Sequence, residues 1–310
     1  MRLRRPLALA AWCALALGPL ELALHLAAAA RAPDELDWAR ARASVEARRR
    51  EGDLVVASPR WAEPHARRAF GEGLMPLRDV ARPDETGYAR ALEVAAPGGR
   101  DGAVAGWRLL DAWAEGRLSF RLWENPSPER FVFDFVDEVE AGRAEVFWAL
   151  ENGDAADCPF ADAAVDAPWG QPGLPARRYV CDEEPRHSVA VTVIDDLGHR
   201  PRRCVVTPPP PQPWREVVVR VRGAPPSAGL VAGHMGLPYL YEREGVGAPV
   251  ELVLRAGGDE IGALRHRDGE GWARFAWPIG GRAAGAGGLS IHVSGAGAEG
   301  RPLCWEARLR

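Results

Sequence analysis

The chain of 310 residues contains no lysine: all 39 of its basic residues are arginine. That absence removes the amine used by Schiff-base enzymes and by the phosphate-binding P-loop. Cysteine is scarce, five in all, and no two stand at C-x-x-C spacing, which leaves no zinc-type or thioredoxin-type motif. Also missing are a G-x-S-x-G elbow, an H-E-x-x-H helix, a Walker A loop and a complete G-x-G-x-x-G unit after a strand. No cofactor and no metal are implied. A formal net charge of −4, with arginines scattered among acids, gives no footprint for nucleic acid. What is present is ordinary globular material. Hydrophobic residues make up 47% and charged residues 26%, in a length that suits one large or two modest domains.

The N-terminus speaks for export. Arg2, Arg4 and Arg5 precede the apolar run Pro6 to Leu20, and small residues follow near Ala30-Arg31-Ala32. Residues 1–32 therefore fit a secretory signal peptide or an uncleaved hydrophobic helix that anchors the chain to a membrane. Glu21 and His25, one helical turn apart, argue against deep burial in lipid. Positive residues lead, so the bulk of the chain is expected outside the cytoplasm, periplasmic or facing the periplasm. Cys13 lies in this segment. The other four, Cys158, Cys181, Cys204 and Cys304, are an even number in an exported region and read as disulfides. Three connectivities exist. The favoured one joins Cys158 to Cys181 and Cys204 to Cys304.

Periodicity predicts an α+β chain, with a small α/β domain over 34–124 and a β-sandwich over 128–310. Asp34 to Gly52 has the punctuation of a helix, and Asp53 to Ala57 reads as a short buried strand. A second helix over Trp61 to Phe70, a strand over Ala91 to Ala95, a helix over Trp107 to Trp113 and a strand over Arg117 to Trp123 complete the first domain. Alternation of helices with apolar strands implies some parallel pairing. Beyond it, Phe131, Phe133 and Phe135 alternate as a strand, then Glu145 to Leu150 and Ser188 to Ile194. Residues 151–178 form a long polar loop, and 208–213 a proline-rich connector that reads as a spacer or exposed crossing. Strands follow over Glu216 to Val221, Leu237 to Tyr241, Leu289 to Val293 and Leu303 to Leu309. Val250 to Trp277 reads as a three-strand meander turned at Gly257-Gly258-Asp259 and Asp268-Gly269. Gly280 to Gly288 reads as a flexible hairpin loop.

One polar group stands out. His187, Asp195, Asp196 and His199 surround one strand and its following turn, where they could act as metal ligands or as an acid/base pair. A polar strand end closed by the Asp195-Asp196-Leu197-Gly198 turn is the favoured explanation, because no third ligand or nucleophile accompanies them.

Two resemblances add to this. The run D-W-x-R-A…V…G-D-L-V-V (Asp37, Trp38, Arg40, Ala41, Val45, Gly52 to Val56), with Gly106 to Glu124, resembles the soluble tail of multispanning lipid-linked-sugar glycosyltransferases over residues 34–124. Catalytic carboxylates of that family lie in its multi-helix membrane part, so the resemblance implies an accessory domain without the enzyme. From about 202 to 310 the chain resembles a galactose-binding-like jelly roll of carbohydrate-binding modules. The features are G-A-P-P-S…L-V-A-G-H-M-G-L (Gly223 to Leu237), A-P-V-E-L-V-L (Ala248 to Leu254) and H-R-D-G-E-G-W (His266 to Trp272). In such a roll, end loops carry aromatic and polar groups, which singles out His234, Tyr239, Tyr241, Arg243, His266 and Trp272 as a sugar-binding group. The implied partner is a glycan or glycolipid of the cell envelope, with an envelope protein as a further candidate. A carbohydrate-active hydrolase or transferase and a structural interaction module are the alternatives.

Overall fold

The structure is a computed structural model that describes residues 4–97, 99–164, 173–225, 228–280 and 288–310. Much of the predicted 151–178 loop, Pro226 and Ser227 of the G-A-P-P-S run, and residues 281–287 of the glycine-rich stretch lie outside the described residues. The chain divides into two compact units. One is Met1–Asp79 with Tyr88–Pro128, and the other is Val80–Gly87 with Glu129–Arg310.

The first unit begins with helix α1 (Arg4–Arg31), followed by α2 (Glu35–Arg48), strand β1 (Leu54–Ser58), α3 (Glu63–Phe70) and the single turn α4 (Leu77–Val80). Strands β2 (Arg90–Ala95), β3 (Arg108–Glu115) and β4 (Leu118–Glu124) complete a sheet of order β1-β2-β4-β3. Pairing of β1 with β2 is parallel, as the helix–strand alternation implies. Helix α2 starts where its sequence says it should: Asp34 accepts from the Asp37 backbone N–H and Asp37 accepts from that of Asp34. Among the described residues no helix is long and apolar enough to cross a membrane.

The helix expected over Trp107 to Trp113 is instead β3. A register shift between Leu109 and Asp111 breaks the two-residue alternation, so the strand's apolar residues imitate helical spacing. Pairing with β4 and the stacking of Trp113 on Phe120, 5.1 Å between ring centres, hold it extended.

The second unit is a sandwich of two antiparallel sheets. Its strands are β5 (Phe133–Asp134), β6 (Glu145–Ala149), β7 (Ala155–Asp157), β8 (Phe160–Asp162), β9 (Arg177–Tyr179), β10 (Ala190–Asp195) and β11 (Pro201–Thr207). They continue with β12 (Glu216–Val221), β13 (Leu230–Gly236), β14 (Val250–Ala256), β15 (Asp259–His266), β16 (Ala273–Pro278), β17 (Leu289–Ser294) and β18 (Leu303–Leu309). Helices α5 (Phe135–Glu140) and α6 (Tyr239–Glu244) interrupt them. The first sheet runs β10-β11-β18-β13-β16, with β5 paired to β18, and the second runs β15-β14-β17-β12-β6-β7. Alternate residues point inward. Val217, Val219 and Val221 of β12, Leu289, Ile291 and Val293 of β17 and Leu252 and Leu254 of β14 meet Val231, Met235, Trp305 and Ala307 of the first sheet in one core.

Four expectations need correction. The meander is not one sheet: β14 and β15 pair through the Gly257-Gly258 turn, but β16 pairs with β13 across the sandwich. There Phe275 enters the core and Trp277 packs against it with its indole over Gly262, where a side chain would collide with the ring at 2.5 Å. The Phe131–Phe135 strand shrinks to two residues, since Asp134 caps α5 by accepting from the Val136 N–H at 2.8 Å. Leu237 to Tyr241 leads into helix α6 behind Pro238, and the Glu242 carboxylate bonds back to the Leu237 N–H at 2.9 Å. Finally, Pro208 to Pro210 are buried and do not form an exposed spacer.

Both favoured disulfides are formed, Cys158–Cys181 with Cα atoms 4.2 Å apart and Cys204–Cys304 at 5.6 Å. Val80–Gly87 belongs to the second unit although the sequence divides at 124–128. The Arg203 N–H bonds to the Ala81 carbonyl at 2.6 Å, and the Arg202 guanidinium reaches the carbonyls of Arg82 and Pro83 at 2.8 and 2.7 Å.

Candidate functional site

The residues singled out for sugar binding are distributed over several environments. His234 and Trp272 do meet, with parallel rings 5.8 Å apart on the outer face of the first sheet. His234 Nδ1 is paired with Glu306 at 2.7 Å, its Nε2 lies 3.9 Å from Asp84, and the Trp272 N–H donates to the Pro83 carbonyl at 3.2 Å. The Val80–Gly87 segment thus lies across this pair. Burial dominates at Glu306 and pushes its carboxyl above the usual range, despite the hydrogen bond from His234.

His266 is fully buried, 2.6 Å from Glu242. That carboxylate also accepts from the N–H groups of Leu237, Gly269 and Gly271. Burial alone would raise the Glu242 carboxyl, but the His266 contact and these donors outweigh it and hold it below its usual value. It is the pin that fixes α6 against the 267–271 loop. Tyr241 lies under the Arg301 guanidinium, which pairs with Asp268. Tyr239 packs on His199 with ring centres 4.1 Å apart, and Arg243 is exposed.

The second polar group is dispersed as well. His187 Nδ1 pairs with Asp182 at 2.8 Å, and its ring meets the edge of Trp148. Asp196 is buried against Arg202 at 2.9 Å, Asp195 is exposed, and His199 occupies a turn at φ +54°. Among the described residues no three His, Cys, Asp or Glu groups converge as a metal site.

A different surface carries an open cavity. Outward residues of the second sheet lead into a cleft of about 760 Å³ at its edge, lined by Trp214, Asn152, Gln212, Glu251, Arg265 and Ser294. Trp214 is half-buried, packed against the core with Trp148 tilted beside it at 5.8 Å, and it lines the cleft. A second recess of about 740 Å³ opens beside Phe147, Phe160, Asp157 and Arg220. At its base the Tyr179 hydroxyl donates to the Ala144 carbonyl at 2.9 Å, and burial pushes that phenol up to about 12.

Farther along the same sheet face, three side chains form a chain of hydrogen bonds. Ser290 and His292 stand two residues apart on β17 and so point the same way, and Glu216 comes from neighbouring β12. Ser290 Oγ is 2.9 Å from His292 Nε2, and His292 Nδ1 is 2.9 Å from Glu216 Oε1. The Glu216 carboxyl is burdened by burial, but His292, Arg255 and Arg215 together hold it below its ordinary value. Arg220 and Arg255 are the register partners of Ser290 on its two sides. Sequence reasoning passed over all of these residues. Ser-Ile-His in a strand was the available signal, because alternation puts the first and third residues on one face. Glu216, Asn152 and Trp214 join through the fold alone.

Neither a protein-family profile nor a curated protein matches the chain. Among solved structures it is similar to the CBM51-2 and INT domains of Clostridium perfringens ZmpB in complex with GlcNAc. That likeness has 11% identity and a TM-score of 0.28 over 58% of this chain and 40% of that one. It is also similar to TmCBM27, a carbohydrate-binding module described for mannan recognition, at 20% identity and a TM-score of 0.25 over 38% of this chain and 78% of that one. A structure of the ZmpB M60 catalytic domain with CBM51-1 and CBM51-2 gives 11% identity and 0.27, with 21% of its length covered. The chain thus spans less than half of the clostridial structures. At these identities and superposition scores none of them assigns a ligand or a residue role here.

Proposed function

We propose that this is an exported envelope protein whose β-sandwich is a carbohydrate-binding module, holding a glycan in the cleft beside Trp214. The carrying observation is the cleft itself: an open groove of about 760 Å³ lined by a tryptophan and several hydrogen-bonding side chains. An indole covers the apolar face of a pyranose ring, while amides, carboxylates and guanidinium groups take its hydroxyls. Asn152, Gln212, Glu251 and Arg265 supply those groups around Trp214. Export is supported by two disulfides, which persist in oxidising compartments, and by the basic and apolar N-terminus. The resemblance of residues 34–124 to the soluble tail of lipid-linked-sugar glycosyltransferases agrees with an accessory role in envelope glycan or glycolipid metabolism.

This reading moves the binding surface from the His234, Tyr239, Tyr241, Arg243, His266 and Trp272 group to the second sheet. The reason is physical: His266 is enclosed, and His234 is engaged by Glu306 beneath the Val80–Gly87 segment. Isothermal titration of the oxidised protein with a panel of soluble oligosaccharides tests the assignment. Binding that weakens at least about tenfold in Trp214→Ala and survives in Trp272→Phe supports it. Binding lost only in Trp272→Phe, or no binding to any saccharide on a glycan array, refutes it.

A further inference from the structure

The Ser290, His292 and Glu216 chain has the connectivity of a nucleophile, a general base and an orienting acid. Glu216 is held ionised, so its carboxylate only accepts hydrogen bonds. His292 Nδ1 therefore carries the proton that bonds to it, and in neutral imidazole this leaves Nε2 as the acceptor. The Ser290 hydroxyl must then donate to Nε2 across 2.9 Å. This is the tautomer a serine nucleophile requires, and it is enforced by the carboxylate. Val218 and Val253 are the register partners of His292 on either side, and both are buried, which keeps water from competing for the ring. Arg220 and Arg255 flank Ser290 with side chains each 36% exposed. Arg220 pairs with Glu145 at 3.6 Å and Arg255 lies 4.0 Å from Glu216, so both are charged neighbours of the strand that bears the hydroxyl.

We infer that Ser290, His292 and Glu216 form a serine-esterase site on the outer face of the second sheet, acting on small acyl esters such as the O-acetyl groups of a sugar. Ser290 Oγ bonds to the ester carbonyl carbon while its proton passes to His292 Nε2. The carbonyl oxygen takes the negative charge. Collapse breaks the bond to the alkoxy oxygen, which leaves as the alcohol with the proton from His292. Water then attacks the acyl-serine, giving up a proton to His292, and the carboxylic acid departs as Ser290 Oγ recovers its proton. The sum is ester plus water to acid plus alcohol, with no other reactant. Ser294 of the glycan cleft lies on the same strand and face as Ser290. The esterase assignment does not require the glycan reading, because a free aryl acetate reports it alone.

The test uses the oxidised full chain, p-nitrophenyl acetate and a fluorophosphonate probe. Peptide mapping is expected to find the probe on Ser290. Ser290→Ala removes one oxygen and should abolish labelling and lower turnover by about 10³-fold. Glu216→Gln should reduce turnover strongly while Ser290 remains labelled slowly. A merely structural triad would give no phosphonylated Ser290 in the folded parent chain, and that result overturns the assignment. Hydrolysis unchanged in Ser290→Ala overturns it equally. Binding of saccharide without turnover would leave the glycan reading standing and remove this one.

Discussion

The outer faces of the two sheets carry the same chemical pair, a histidine bonded to a glutamate, and use it differently. On the first sheet, His234 and Glu306 stand 2.7 Å apart, and on the second, His292 and Glu216 stand 2.9 Å apart. Exposure does not separate them, since both imidazoles are 8% accessible. What separates them is the far nitrogen of the ring. His234 Nε2 is turned toward Asp84 of an overlying segment, whereas His292 Nε2 meets a serine hydroxyl flanked by two arginines. The carboxylates differ too, with burial winning at Glu306 and charge pairing winning at Glu216. A histidine–carboxylate pair is therefore no signature of function. The third partner decides.

The comparison holds only while the first sheet's polar groups serve structure, and that makes the disulfide behind them the largest expected effect. Cys204–Cys304 closes a span of 100 residues, so replacing both by serine should cost about 4.7 kcal/mol by the loop-entropy relation, read from urea denaturation. The Glu242 pin comes next. Glu242→Ala strands a buried His266 and three backbone N–H groups, and should cost about 3–5 kcal/mol in the same assay. A loss under about 1 kcal/mol would mean that this buried pair, whose His266 ends β15 of the second sheet, is not structural.

Titration offers a finer cut. The folded-state pKa of Glu306 is raised, so the native chain holds a proton that the unfolded chain has released above 4.5. Stability then falls as pH climbs from the unfolded carboxyl's value toward the folded one. Glu306→Gln should flatten that part of the denaturation midpoint against pH. Glu242 has the opposite sign: its folded pKa is lowered, so its contribution is present above 4.5 and is lost as pH falls through the folded value. Glu242→Gln should therefore remove an acid-side loss. Equal slopes in parent and both variants would contradict the assignment of these two environments.

Much of the framework was legible in the residues. The Asp34 helix start, the presence of parallel pairing in the first unit and many of the sandwich strands followed from periodicity and punctuation, and the favoured one of three disulfide connectivities is the one formed. Failures fell where tertiary contacts override local pattern. The bulge in β3 disguised a strand, Asp134 turned an alternating Phe run into a helix, and pairing with β13 took β16 to the opposite sheet. The site was harder to read for a related reason. Trp214 follows a proline-rich run that reads as a spacer, and Asn152 sits in a polar loop, so neither announces a cleft. His266 and His234 were singled out through the jelly-roll resemblance, yet their glutamate partners lie 24 and 72 residues away in sequence. Ser290 and His292 were already on a recognised strand. Only the register of β12 beside β17 supplied Glu216.

The most direct test of the two-face account is a ¹⁵N spectrum of the twelve tryptophan indoles, recorded during titration with a saccharide that the titration panel identifies. Trp214→Phe and Trp272→Phe assign the two diagnostic signals. The Trp214 indole is expected to shift and saturate with ligand while the Trp272 indole stays in place. A shift at Trp272 with Trp214 unmoved would contradict it and return the binding surface to the first sheet.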